Sequence, residues 1–140
     1  KHGKNLHEII KEKAADGRKV FYIFGGVEAD EREAIRGIVE KEKDAIIVAS
    51  YGTFSTGVNI KNLHNIIFAS PSKSIVRNLQ SIGRGLRLGD NKVDATLYDI
   101  ADDMTWKSKE NFTLKHFQER INIYTEEEFD YEMHSIDLKD

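Results

Sequence analysis

Gln80, Arg84 and Arg87, in the run Gln-Ser-Ile-Gly-Arg-Gly-Leu-Arg, are spaced to act together. On a helix, positions i, i+4 and i+7 share a face, so one amide and two guanidiniums would point the same way. Paired guanidiniums offer forked donors that match the oxygens of a triphosphate. The same spacing also suits a solvated basic face, although Gly83 and Gly85 are costly in a helix that only has to be stable. A second polar concentration comes earlier, from Tyr51 to Asn59. Thr53, Ser55 and Thr56 supply hydroxyls, Gly52 and Gly57 let a backbone come close, and Asn59 can bond a ribose hydroxyl or an amide. Such a segment is an ordinary polar turn as readily as a site, and its placement decides between them.

The elements that must position these groups follow from the apolar pattern. Leu6, Ile9, Ile10 and Ala14 form a helical stripe, stopped by Asp16-Gly17. Val20 to Phe24 is an apolar run of strand length with a sharp exit at Gly25-Gly26. A second helix is expected from Glu28 to Lys41, with acids in its first turn where the dipole favours them and Ala34, Ile35, Ile38 and Val39 inward. Ala45 to Ala49 and Ile66 to Ala69 are uncharged and rich in β-branched residues, which implies strands buried on both faces, as in a parallel sheet. Pro71-Ser72 opens a helix from Lys73 to about Leu86, and Ala95 to Ile100 is a fourth strand. The order α-β-α-β-β-α-β argues an α/β fold with an open, mostly parallel sheet flanked by helices. The segment Tyr51 to Asn59 then follows a strand end, where such sheets place their ligands.

Beyond Ile100 the pattern changes. Asp102 to Trp106 reads as a loop, and a helix is expected from about Lys109 to Tyr124, with Phe112, Leu114, Phe117 or His116, and Ile121 on its apolar side. Trp106 and Phe112 could stack on a base or anchor this extension to the core. The division expected is therefore 1–104 for the α/β domain and 105–140 for a helical, acidic extension.

Composition limits the function classes. The chain has 140 residues, 39% hydrophobic and 32% charged, which suits one globular domain. No run approaches the ~18 to 20 apolar residues of a membrane span. Without cysteine there is no disulfide framework and no thiolate metal site; His64 and His116 lack ligand spacing, so no metal ligands are assigned. The net charge of −3 hides an asymmetry. Lys73, Arg77, Arg84, Arg87 and Lys92 face only Asp90, whereas seven acids between Glu126 and Asp140 face only Lys139. The basic stretch could serve nucleic acid or nucleotide phosphates.

A strand, then Ser55-Thr56-Gly57-Val58-Asn59-Ile60, then Gln80-x-x-Gly83-Arg84-x-x-Arg87 about twenty residues later, resembles motifs V and VI of superfamily 2 helicases. Gly25, followed by Arg32 and a helix, resembles the glycine and arginine that precede motif V in those proteins. The resemblance covers about residues 1 to 104 and implies a RecA-like domain, the second of two. It implies that Arg84 and Arg87 are arginine fingers reaching the γ-phosphate of ATP, and that Gln80 links nucleotide to motif V. Gly57 and Asn59 would face the ribose, although the family more often has Asp at the second position. Gly25, Ser50, Tyr51, Gly52 and Thr53 would lie along a DNA backbone. The stretch from Ala49 to His64 and the acidic aromatic tail are similar to a recombination and repair helicase of bacteriophages within that superfamily. That likeness implies branched DNA and RNA–DNA hybrids as substrates, and a cytoplasmic location.

What such a motor also needs is missing from these residues. There is no Gly-x-x-x-x-Gly-Lys-[Ser/Thr] phosphate loop and no Asp-Glu-x-[Asp/His] magnesium motif. ATP and Mg²⁺ would therefore be held mainly by a first RecA-like domain of the same polypeptide. The expectation is half a catalytic site, inactive alone, from a domain that starts after its usual first strand. A non-hydrolysing nucleic-acid-binding module and a double-strand DNA translocase remain as alternatives.

Overall fold

The computed structural model describes residues 1–51, 53, 64–69 and 96–138. The expected helix from Lys73 to Leu86 lies outside them. The chain divides into two compact units, residues 1–65 with 80–96 and residues 66–79 with 97–140.

The first unit is built on a β-α-β crossover. Strand β1 (Val20–Ile23) pairs in parallel with β2 (Ile46–Ala49), Val20 opposite Ile46 and Ile23 opposite Ala49. Helix α2 (Ala29–Val39) connects them, with Asp30 and Glu31 in its first turn as the helix dipole favours. Helix α1 (His2–Lys13) precedes β1 and packs on both strands. Its inward face is not the expected one. Ile9 is exposed, while Gly3 and His7 join Leu6, Ile10 and Ala14 against the sheet. The reason is Tyr22, whose ring stacks on His7 at a centroid distance of 5.5 Å and fills the space beside Gly3. The helix ends at Lys13, and the chain then turns at Gly17, where φ of +83° suits a residue without Cβ. Ion pairs Arg18–Asp44 and Lys19–Glu42 join the starts of the two strands, a modest contribution at an exposed surface.

The core of this unit is small: Ile23, Val27, Val39 and Val48. On α2 only Val39 is buried, and the expected inward Ala34 and Ile38 are exposed. Burial on both strand faces is likewise incomplete, since Ala49 is exposed at the strand end.

Strand β3 (Asn65–Phe68) pairs with β4 (Thr96–Asp99). Thr96 N–H donates to the His64 carbonyl at 2.8 Å and Ile100 N–H to that of Phe68 at 3.4 Å, so the register advances in the same direction on both strands, as in a parallel pair. Phe68 is buried but Ile67 and Tyr98 are exposed, so this pair alternates where burial on both faces was expected.

Helix α3 (Phe112–Glu126) starts three residues later than the spacing suggests. Its inward positions are Phe117, Arg120, Ile123 and Tyr124, whereas Phe112 is 80% exposed at the first helical position. Arg120 is completely buried. Its Nε and Nη2 donate to the two carboxylate oxygens of Asp99 at 2.6 and 2.8 Å, and the Tyr124 hydroxyl donates to the same carboxylate at 2.7 Å. Burial, then the bond to and charge of Asp99, push the Tyr124 hydroxyl far above its ordinary value, against a smaller opposing effect of Arg120. The helix closes with Glu128 in the left-handed region at φ 56°. Phe129 N–H donates to the Tyr124 carbonyl and Glu128 N–H to that of Thr125, the pairing of a Schellman cap, with the Phe129 ring edge-on to Tyr124.

Candidate functional site

In a parallel pair the C-terminal strand ends open onto the loops that carry ligands. At that end of β1 and β2 the first unit brings together Gly25 and the residues Ser50, Tyr51 and Thr53. The two segments are joined directly, because Ser50 N–H donates to the Ile23 carbonyl at 3.1 Å.

Gly25 lies in a turn closed by Val27 N–H to the Phe24 carbonyl at 3.0 Å. Val27 is buried beneath it and fixes the turn to the core. A Cβ on Gly25 would meet open space, whereas one on Gly26 would come within 2.7 Å of the Phe24 ring. The exposed backbone at Gly25 is thus open to a close approach from outside. Arg32, in the first turn of α2, has a buried Nε with no hydrogen-bond partner among the described residues.

After β2 the chain enters helical backbone at Tyr51 and Thr53. Ser50 precedes it as a helix-capping residue type. Its Oγ lies 2.8 Å from Thr53 Oγ1, and Thr53 N–H donates to the Ser50 carbonyl at 3.1 Å. Thr53 is 3% exposed, so its hydroxyl supports Ser50 from beneath, while Ser50 faces outward. An outward hydroxyl at the start of a helical turn suits a phosphate oxygen.

Gly52, Gly57, Asn59, Gln80, Arg84 and Arg87 lie outside the described residues. Among the described residues no group of three or more His, Asp and Glu side chains could hold a metal ion. None of the described helices is long and apolar enough to cross a membrane.

Sequence reasoning missed the Asp99–Arg120–Tyr124 cluster and the role of Asn111. The signal for the first was present: Arg120 interrupts the stripe Phe117, Ile123, Tyr124 at helical spacing, and a charge on an apolar face requires a partner. Asn111 precedes α3 but does not cap it. Its side chain instead donates to the Asp102 carbonyl at 2.8 Å and accepts from Met104 N–H at 3.1 Å, while Thr113 Oγ1 donates to the Asp102 carbonyl at 2.9 Å.

The parallel crossover with its loops gathered at one end is a RecA-like α/β arrangement. The helicase conserved C-terminal domain family matches residues 1–89, and the chain belongs to that family. Over an alignment of 147 positions it is 39% identical to the ATP-dependent DNA helicase uvsW of Enterobacteria phage T4, covering 98% of this chain and 29% of that protein. It is also 29% identical over 101 residues to the putative ATP-dependent helicase IRC3 of Saccharomyces cerevisiae, covering 71% of this chain and 14% of that protein. The chain thus spans less than a third of the length of the curated relatives it matches. No solved structure matches it.

Proposed function

We propose that this chain is the C-terminal motor domain of an ATP-dependent DNA helicase that acts on branched DNA and RNA–DNA hybrids in recombination and repair. The observation that carries the reading is the likeness to the phage helicase along 98% of the chain, together with the motif pair at Gly57–Asn59 and Gln80–Arg87. Residues 1–104 would form the RecA-like part and 105–140 its extension.

Arg84 and Arg87 would act as fingers on the γ-phosphate of ATP, with Gln80 beside them and Gly57 and Asn59 toward the ribose. A finger of this kind is worth on the order of 10³ to 10⁵ in rate. Gly25, Ser50, Tyr51, Gly52 and Thr53 would hold the DNA backbone by hydroxyl and main-chain contacts. Such contacts carry no sequence information, which suits an enzyme that must move along any strand. The phosphate loop and the Mg²⁺ ligands would come from a first RecA-like domain of the same polypeptide, because neither motif occurs in this sequence.

DNA-stimulated ATP hydrolysis by the parent protein, wild type beside Arg87→Ala, tests the reading. The expected result is retained ATP and DNA binding with turnover lowered by ~10³-fold or more. Unchanged turnover would make the arginines a basic surface and the domain a binding module. The 140-residue chain alone is expected to show no turnover.

A further inference from the structure

We propose that the turn at Trp106 to Lys109 is a stacking platform for an unpaired nucleobase, with Lys107 and Lys109 serving the adjoining phosphates. This rests on the nucleic-acid reading above and assigns a role to a part of the chain beyond residues 1–89, where the family match ends.

Trp106 is the sole tryptophan of the chain and is 72% exposed, so it does not serve as a core anchor. It sits on a two-residue hairpin. Trp106 N–H donates to the Lys109 carbonyl at 3.1 Å, and Lys109 N–H donates back at 2.9 Å. The connecting Lys107 and Ser108 have φ of 45° and 63°, both left-handed. That is the backbone of a type I′ turn, which ordinarily carries Asn-Gly. Lysine and serine in succession are poor choices for it, and such departures cluster where a surface is shaped for binding.

The surroundings favour a polyanion with a flat apolar group. The Lys107 ammonium stands 5.8 Å from the centroid of the indole ring, and Lys109 follows across the turn. Two of the nearby acids are engaged by neighbours: Asp103 accepts from the hydroxyl and N–H of Thr105, which hold its carboxyl below the ordinary value, and Glu110 accepts from Gln118 on α3. An exposed aromatic ring with one lysine at its face and a second on the same turn is a composition that stacks a base and tracks a phosphate backbone. Met104 on the same loop and Phe112 at the start of α3 are also exposed, so a protein is the competing occupant. The lysines beside the ring decide for nucleic acid.

Because Trp106 is the only tryptophan, its emission reports on this site alone. The chain is titrated with fluorescein-labelled single-stranded oligothymidylate, following tryptophan emission and fluorescein anisotropy in the same samples. The expected result is quenching of emission in step with the rise in anisotropy. Trp106→Ala should weaken binding by about 5- to 150-fold, with Trp106→Phe retaining most of the affinity. An exposed ring can be removed without unfolding, and an unchanged far-ultraviolet circular dichroism spectrum checks this. If anisotropy rises while emission stays constant, or if Trp106→Ala binds as wild type does, the platform is wrong and the nucleic-acid reading stands. If the strand fails to bind at all, both fall.

Discussion

Asp99 and Arg120, twenty-one residues apart, are joined fork to fork, with both carboxylate oxygens accepting from one guanidinium in a site closed to solvent. The third guanidinium nitrogen, Nη1, has no partner among the described residues, and the group lies 5.6 Å from the Phe117 ring centroid. Breaking such a pair from one side strands a charge, at about 3–5 kcal/mol. Asp99→Ala is therefore expected to destabilise the chain by that amount, read from the urea midpoint. Replacing both partners by apolar residues, Asp99→Leu with Arg120→Met, should recover most of the loss, because no charge is then left buried. Additive losses in the double-mutant cycle would show that the two side chains act independently.

The same cluster predicts an alkaline limit to stability. The Tyr124 hydroxyl is raised above the ordinary 10.0 in the folded state, so the folded state keeps its proton where the unfolded state releases it. That contribution is complete below about pH 10 and is lost progressively as pH rises from there. Unfolding free energy measured between pH 8 and pH 11 should fall at the upper end for wild type, where an unfolded tyrosine, with its ordinary value of about 10, ionises. Tyr124→Phe should flatten that fall while lowering stability at neutral pH by about 1 kcal/mol for the lost hydrogen bond. An equal alkaline slope in both proteins would assign it to other groups.

Glu128 pays a conformational cost at the end of α3, since its φ of 56° suits glycine. Glu128→Gly should raise stability by about 0.5–1 kcal/mol, seen as a higher melting temperature, while the Phe129 to Tyr124 hydrogen bond persists. A lower melting temperature would mean that the glutamate side chain contributes more than its backbone costs.

Neighbouring glycines after β1 should respond oppositely. Gly25→Ala places its methyl in open space, so stability should stay within about 0.5 kcal/mol while DNA binding by the parent protein weakens. Gly26→Ala must displace the Phe24 ring from its stack on Tyr22, at about 1 kcal/mol. Unchanged DNA affinity in Gly25→Ala would remove Gly25 from the proposed interface.

The described strands and helices were legible in the sequence because short uninterrupted apolar runs favour buried strands and a spacing of three to four favours helices. Val20–Ile23 and Ile46–Ala49 fall inside uncharged runs rich in β-branched and aromatic residues, and α2 announces itself by its acidic first turn. What escaped was contact between elements distant in sequence. Ile9 and His7 compete for the inward face of α1, and the ring of Tyr22 on another element selects His7. Arg120 was passed over since a buried arginine is sensible only once Asp99 is known to be opposite. Of the candidate site, the joining of the two strand ends through Ser50 N–H and the Ile23 carbonyl belongs to parallel pairing, whereas the hydroxyl bond between Ser50 and Thr53 depends on a helical turn that no periodicity announces.

The segment between β4 and α3 is fastened at both ends. Asp99 is gripped by Arg120 and Tyr124 behind it, and the Asp102 carbonyl by Asn111 and Thr113 ahead of it. The residues from Met104 to Glu110 therefore span a fixed gap, and their freedom is surrendered when the chain folds. A partner meeting Trp106 would find the ring already oriented. The ordering cost of the encounter, otherwise about 0.5–1.5 kcal/mol for each immobilised side chain, would fall on folding instead. Loosening either fastening should slow nothing in the approach of a ligand, but it should shorten the time the ligand stays.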